Sequence, residues 1–180
     1  METYTLNVAG LTRELPICAV NESLDIAAFI MYSDIELTVE CAKALLAKVP
    51  EFDVILTAAS KGIPLAYEAA RQSGKPYFVA NKSRKIYMGE PISASVRSIT
   101  TLELQTLYLA ELDAKRISGK RVLILDDVIS TGGSLSAMEQ VVKKAGGIIA
   151  AAAAVLAEGE AADRGDIIFL EKLPLFPRKI

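Results

Sequence analysis

The chain has 180 residues, 52% of them hydrophobic, with 20 Lys+Arg against 22 Asp+Glu for a formal net charge of −2. That length supports one domain with a substantial core, and so even a charge balance makes no demand for a polyanionic partner, so no nucleic acid is expected. The absence of histidine removes Ser-His-Asp, Cys-His and most zinc chemistry together, while Cys18 and Cys41 have neither metal-ligand spacing nor the number for a disulfide framework.

Residues 1–33 alternate polar and apolar side chains over Thr3 to Val8 and Glu14 to Val20, about Ala9-Gly10, which predicts a hairpin outside any main sheet. Glu36 to Lys48 follows with apolar residues at Leu37, Cys41, Ala44 and Leu45, a helical spacing. Val54 to Ala58 reads as a buried strand, and Pro64 to Ser73 as a helix with a first-turn proline that stops before Gly74. Tyr77 to Ala80 is a second strand, after which Gly89 to Thr106 turns polar and irregular. Two further strands, Val122 to Asp126 and Ile148 to Leu156, flank a helix over Ser134 to Ala145 with Leu135, Met138 and Val141 on one face. The run of alanines at 150–154 marks a strand closely packed by helices. The tail from Ile167 carries prolines that forbid a regular helix and is expected to form an appended element. Alternating strands and helices imply an α/β fold, a central parallel sheet flanked by helices with right-handed crossovers. No charged leader with a cleavage site is visible, and Ile148 to Ala157 falls short of the ~20 residues a bilayer span takes. The expectation is a cytoplasmic protein without a membrane partner.

Chemistry concentrates in residues 121–136, RVLILDDVISTGGSLS. If Val122 to Leu125 is a parallel strand, Asp126 and Asp127 fall at its carboxyl end, where open α/β sheets place ligands. Ser130, Thr131, Gly132, Gly133 and Ser134 then form a tight turn into a helix, so backbone N–H groups and hydroxyls converge on a point suited to a phosphate. Two acceptors beside a phosphate cradle fit a sugar phosphate, the carboxylates taking the ribose hydroxyls. No GxxxxGK[ST] nucleotide loop occurs in the chain.

The stretch VLILDDVISTGGS resembles the 5-phosphoribosyl 1-diphosphate (PRPP) signature of type I phosphoribosyltransferases, matching it nearly completely over thirteen residues. The segment VILTAASKGIPLAYEAARQSGKPYFVANKSRKI is similar to the second region of that family's adenine branch. The resemblance implies that Asp126, Asp127, Val128 and residues 130–134 bind ribose and its 5-phosphate. It makes Ala59-Ser60-Lys61-Gly62 the pyrophosphate loop, often holding a non-proline cis peptide, with Lys61 on the diphosphate and Lys82 and Lys85 as further basic contacts. Leu102-Glu103 matches the branch's Leu-Glu pair, so Glu103 is the candidate for handling the base's proton, on a mobile loop followed by a hairpin into the signature strand. Residues 1–33 and 167–180 would form a small hood over a core of residues 34–166, with Phe29, Leu173 and Phe176 candidates for contacting the base. The chain departs from the branch at Ala59, where an acid is usual, and at Asp25-Ile26-Ala27, the nearest counterpart of a Phe-Arg-Asp stretch.

The activity so implied is displacement of pyrophosphate from PRPP by a purine, adenine first, giving a nucleoside monophosphate for purine salvage. Mg²⁺ would be held mainly by substrate oxygens, Asp126, Asp127, Glu103 and Lys61 would carry the catalysis, and a homodimer is the implied assembly. The alternative is a regulator of the same fold that senses PRPP or a nucleotide without turning it over. A receiver-type phosphorylation domain is disfavoured because the acid pair comes late in the chain.

Overall fold

A computed structural model describes residues 2–97 and 104–178. Its centre is a parallel sheet in the order β10-β9-β8-β4-β5, built from β4 (Val54–Ala58), β5 (Tyr77–Ala80), β8 (Arg121–Ile129), β9 (Ile148–Glu158) and β10 (Ile167–Leu173). The inner strands β4, β8 and β9 are largely apolar on both faces because both faces are covered. Val122 and Ile124 point to the side of α3 (Glu111–Ile117) and α4 (Gly133–Lys144), while Leu123 and Leu125 point to α1 (Ile35–Leu46) and α2 (Ile63–Ser73). In β9 the alanines divide likewise, Ala152 and Ala154 toward the α4 face and Ala153 toward the other.

The helices start and stop where local chemistry dictates. Asp34 caps α1 by accepting from the Leu37 N–H at 3.0 Å, and its carboxylate is held by Arg13 Nε at 2.7 Å. Helix α2 ends on Gly74, whose φ of 69° is the left-handed conformation that closes a helix without a Cβ penalty.

The amino-terminal hairpin forms as expected, β1 (Thr3–Val8) pairing with β2 (Leu11–Ala19) through Ala9 and Gly10 at φ 52° and 78°. Two successive positive φ values give the turn the twist a two-residue hairpin needs. With β3 (Leu24–Ala27) and β11 (Leu175–Pro177) these strands make a separate sheet, β1-β2-β3-β11.

Three expectations are corrected. The tail is not wholly appended: Ile167–Leu173 is the outermost strand of the central sheet, parallel to β9, and only Leu175–Pro177 joins the small sheet. Both tail prolines, Pro174 and Pro177, lie beyond β10, so they bound that strand rather than forbid it. The stretch after Gly89 is not irregular throughout, since β6 (Ile92–Arg97) pairs antiparallel with β7 (Leu104–Leu109). Between β7 and β8 stands helix α3 in place of a hairpin, burying Ala114 and Ile117 and pairing Lys115 with Glu111 at 2.7 Å.

Candidate active site

The site lies at the carboxyl ends of β4, β8 and β9, in a cavity of about 390 Å³. Strand β8 runs four residues past Leu125, so the two acids stand inside a paired strand, with Asp126 opposite Ala154. They are 8% and 3% exposed, which matters because carboxylates are rarely buried without partners. The Asp127 N–H donates to Asp126 Oδ1 at 3.0 Å. Burial first, and the neighbouring Asp127 second, push the Asp126 carboxyl well above its ordinary range. Lys61 Nζ approaches Asp127 Oδ2 to 3.3 Å as an ion pair, yet that oxygen accepts no hydrogen bond among the described residues. It is a buried acceptor on a residue that lines the cavity, and an acceptor left without a donor costs stability that a ligand hydroxyl would recover.

Beside the acids, residues 130–134 form the turn into α4. A smaller cavity of about 120 Å³ is lined by Ser130, Thr131, Gly132, Gly133 and Ser134 and shares Asp126 and Val128 with the main one. The first α4 bond runs from the Ser136 N–H to the Gly132 carbonyl at 2.8 Å, so the N–H groups of Gly133, Ser134 and Leu135 precede the helical ladder. Oriented N–H groups at a helix start are an anion cradle. Gly132 is required there: its φ is 80°, and a Cβ would lie 2.8 Å from Arg164 Nη1. Gly133 has no such constraint, its Cβ position meeting Thr131 Oγ1 at 3.9 Å.

The loop after β4 approaches from the other side. The Ala59–Ser60 peptide is cis, and the Tyr32 hydroxyl donates to Ser60 Oγ at 2.8 Å. Gly62 is a glycine for reasons of space, since a Cβ would collide with Thr57 Oγ1 and stand 2.8 Å from Asp126 Oδ1. The start of α2 can therefore press directly against the acid pair. Lys61 and Lys82 line the main cavity, whereas Lys85 does not; its backbone N–H meets Met88 Sδ at 3.3 Å.

Of the base-contact candidates, Phe29 and Leu173 line the main cavity, together with Ile26, Ala27 and Ala28 at the end of β3. Phe176 lies outside the lining, edge-on to Tyr4 with ring centroids 5.7 Å apart. Glu103 lies outside the described residues. Sequence reasoning missed Arg164 and Glu158. Arg164 chelates Asp166 at 2.9 and 2.7 Å while standing against Gly132, and Glu158 lines the main cavity. Neither sits in a motif: strand register brings Glu158 to the site, and the turn after β9 brings Arg164.

The match to the phosphoribosyl transferase domain model covers residues 36–174. The chain belongs to the phosphoribosyltransferase family. Among curated relatives, it is 39% identical over 88 residues to the purine biosynthesis transcriptional repressor PurR of Bacillus subtilis, a match covering 49% of this chain and 30% of that protein. It is 37% identical over 108 residues to a hypoxanthine/guanine phosphoribosyltransferase of Methanotorris igneus, covering 60% of this chain and 55% of the relative. The chain thus spans about half the length, or less, of these curated relatives. Among solved structures, adenine phosphoribosyltransferase from Thermoanaerobacter pseudethanolicus superposes with a TM-score of 0.65 at 23% identity, over 77% of this chain and 80% of that one. The Giardia lamblia enzyme complexed with 9-deazaadenine gives 0.62 at 17% identity, over 94% and 93% of the two chains. Those likenesses establish the type I phosphoribosyltransferase fold.

Proposed function

We propose that the chain is a purine phosphoribosyltransferase, transferring the 5-phosphoribosyl group of PRPP to a ring nitrogen of a purine with release of pyrophosphate. One observation carries this: a buried acid pair, a lysine-bearing loop and a helix-start anion cradle line two adjoining cavities that share Asp126 and Val128. The turn at 130–134 holds the 5-phosphate by backbone N–H groups and hydroxyls, and Asp126 and Asp127 take the ribose hydroxyls. Lys61 and Lys82 face the diphosphate. In the transition state the sugar ring gains oxocarbenium character while charge builds on the departing pyrophosphate. The two carboxylates stabilise the first, and Lys61 the second, because their positions are fixed before reaction in a poorly solvated site.

Among the described residues no group of three or more acidic or cysteine side chains could hold a metal alone. The donor set, two adjacent buried aspartates with Lys61 beside one of them, fits an ion carried in chiefly by substrate oxygens. When bound, Mg²⁺ supplies neutralisation of the diphosphate charge. Glu103, from the loop, is the proposed proton acceptor for the base. The nucleoside monophosphate product, a role in purine salvage and a cytoplasmic location belong to the same reading. So does a homodimer, supported by the exposed Ile30, Tyr32, Ile35 and Tyr67, at 54%, 46%, 78% and 57% exposure. No described helix is long and apolar enough to cross a membrane.

Adenine is supported by the Leu102-Glu103 pair and by the fold neighbours, and a 6-oxopurine by the relative from Methanotorris igneus. The second reading, a sensor that binds without turnover, is favoured by the 39% identity to a transcriptional repressor. The test is incubation with PRPP, Mg²⁺ and adenine, hypoxanthine, guanine, xanthine, uracil or orotate. Purine-dependent pyrophosphate release is the expected result; tight PRPP binding with no release for any base would replace the enzyme with the sensor.

A further inference from the structure

Glu158 closes β9, stands in register with Leu173 of β10 and lines the main cavity together with residues 26–30. It is half-buried, yet among the described residues its carboxylate has neither a hydrogen bond nor an ion pair. Burial raises its carboxyl above the ordinary value, and the charge of Lys61 opposes that shift without making a contact. A partly desolvated carboxylate lacking donors gains from any N–H group a ligand brings.

Strand order says which part of a ligand that is. In the order β10-β9-β8-β4-β5, Lys61 follows β4, Lys82 follows β5, and the acid pair and phosphate turn belong to β8. A diphosphate then lies over β4 and β5 and the pentose over β8. The group on the far side of the sugar falls over the ends of β9 and β10, beside the end of β3, where Glu158 stands. This layout rests on the transferase reading of the cavity.

We propose that Glu158 reads the base: its carboxylate accepts hydrogen bonds from N–H groups on the purine edge, favouring 6-oxopurines, guanine above all, over adenine. An ionised carboxylate offers acceptors alone. Guanine presents a ring N–H beside an amino group, two donors matching two oxygens, and hypoxanthine presents the ring N–H. Adenine sets a bare ring nitrogen next to its amine, so one carboxylate oxygen faces another acceptor. An amide has one donor and one acceptor and matches the adenine edge instead.

The experiment is calorimetric titration of GMP, AMP and PRPP into the wild type, Glu158→Gln and Glu158→Asp, alongside pyrophosphate release with guanine and adenine. The wild type is expected to bind GMP more tightly than AMP. Glu158→Gln should lower the GMP-to-AMP preference at least about tenfold, the scale of one bidentate edge contact, while PRPP affinity holds. If the Gln protein binds no PRPP and has therefore lost its fold, Glu158→Asp decides, its shorter carboxylate weakening GMP more than AMP. An AMP preference in the wild type, equal changes for both nucleotides, or no binding of either would overturn the assignment. Absent turnover with PRPP and GMP both bound would defeat the transferase reading alone and leave Glu158 judged by nucleotide preference.

Discussion

The sugar-phosphate half of the cavity is made of backbone and buried acid on the central sheet, whereas the base half draws its walls from a second sheet and from strand ends. In the first half, Gly62 and Gly132 are fixed by close approach and by backbone conformation, and Asp126 and Asp127 are locked into β8. In the second, Ile26, Ala27 and Ala28 come from the four-residue strand β3 and its end, in a sheet assembled from both termini of the chain. The difference suggests a division of labour, in which the half built on contiguous segments of the central sheet holds a constant group and the half assembled from distant segments chooses among related bases.

The comparison breaks most severely at Gly62. A methyl group there meets Thr57 and Asp126, so Gly62→Ala should displace the acid pair and lower kcat/KM about a hundredfold, the cost of misplacing a reacting group by an ångström. Steady-state kinetics at varied PRPP would check this, and a near-normal value would mean that the loop has room the geometry denies.

Next come the acids themselves. Asp126→Asn and Asp127→Asn should each weaken PRPP binding by ~1.5–3 kcal/mol, the value of a hydrogen bond to a charged group. Asp126 adds a stability signature of opposite sign. Its folded pKa is raised, so between the ordinary carboxylate range and that raised value the native state binds more protons than the unfolded state, and stability falls as pH rises. Asparagine does not titrate. Thermal melts should therefore show Asp126→Asn gaining on the wild type as pH increases through that window, and parallel melting curves would contradict the buried-charge account.

Gly132→Ala should have a smaller effect, roughly 1–2 kcal/mol for a left-handed residue that acquires a Cβ, part of it as lost stability and part as weaker 5-phosphate binding. Chemical denaturation with and without AMP separates the two. The least effect on function is expected from Phe176→Ala. It removes an edge contact with Tyr4 worth roughly 0.5–1.5 kcal/mol beyond its area, lowering stability while leaving the Michaelis constant for the base alone. A selective rise in that constant would return Phe176 to the base site.

How much of this was legible in the sequence follows the same division. The acid pair, the 130–134 turn, the Ser60-Lys61-Gly62 loop and the helices around them are local: each is a contiguous run whose burial, caps and glycines declare its geometry. The base half is assembled from distant segments by register. Leu173 reaches the cavity because β10 aligns with β9, a pairing hidden by the two prolines that follow it. Glu158 looks like any acid after an apolar run until β9 proves to extend to it. Arg164 meets Gly132 through the return from β9, with no signal in its own neighbourhood. Helix α3, only seven residues long, was hidden because a short helix shows too few turns for its period to stand out.

The division of labour is tested most directly by titrating PRPP, with Mg²⁺, into the wild type and into the doubly substituted Asp126→Asn/Asp127→Asn protein. The account predicts tight binding by the wild type and a loss of at least about a hundredfold in the double variant, two charged hydrogen bonds being removed from one desolvated site. Equal PRPP affinity in the two proteins would contradict it, because the sugar-phosphate half would then not be where the constant group is held.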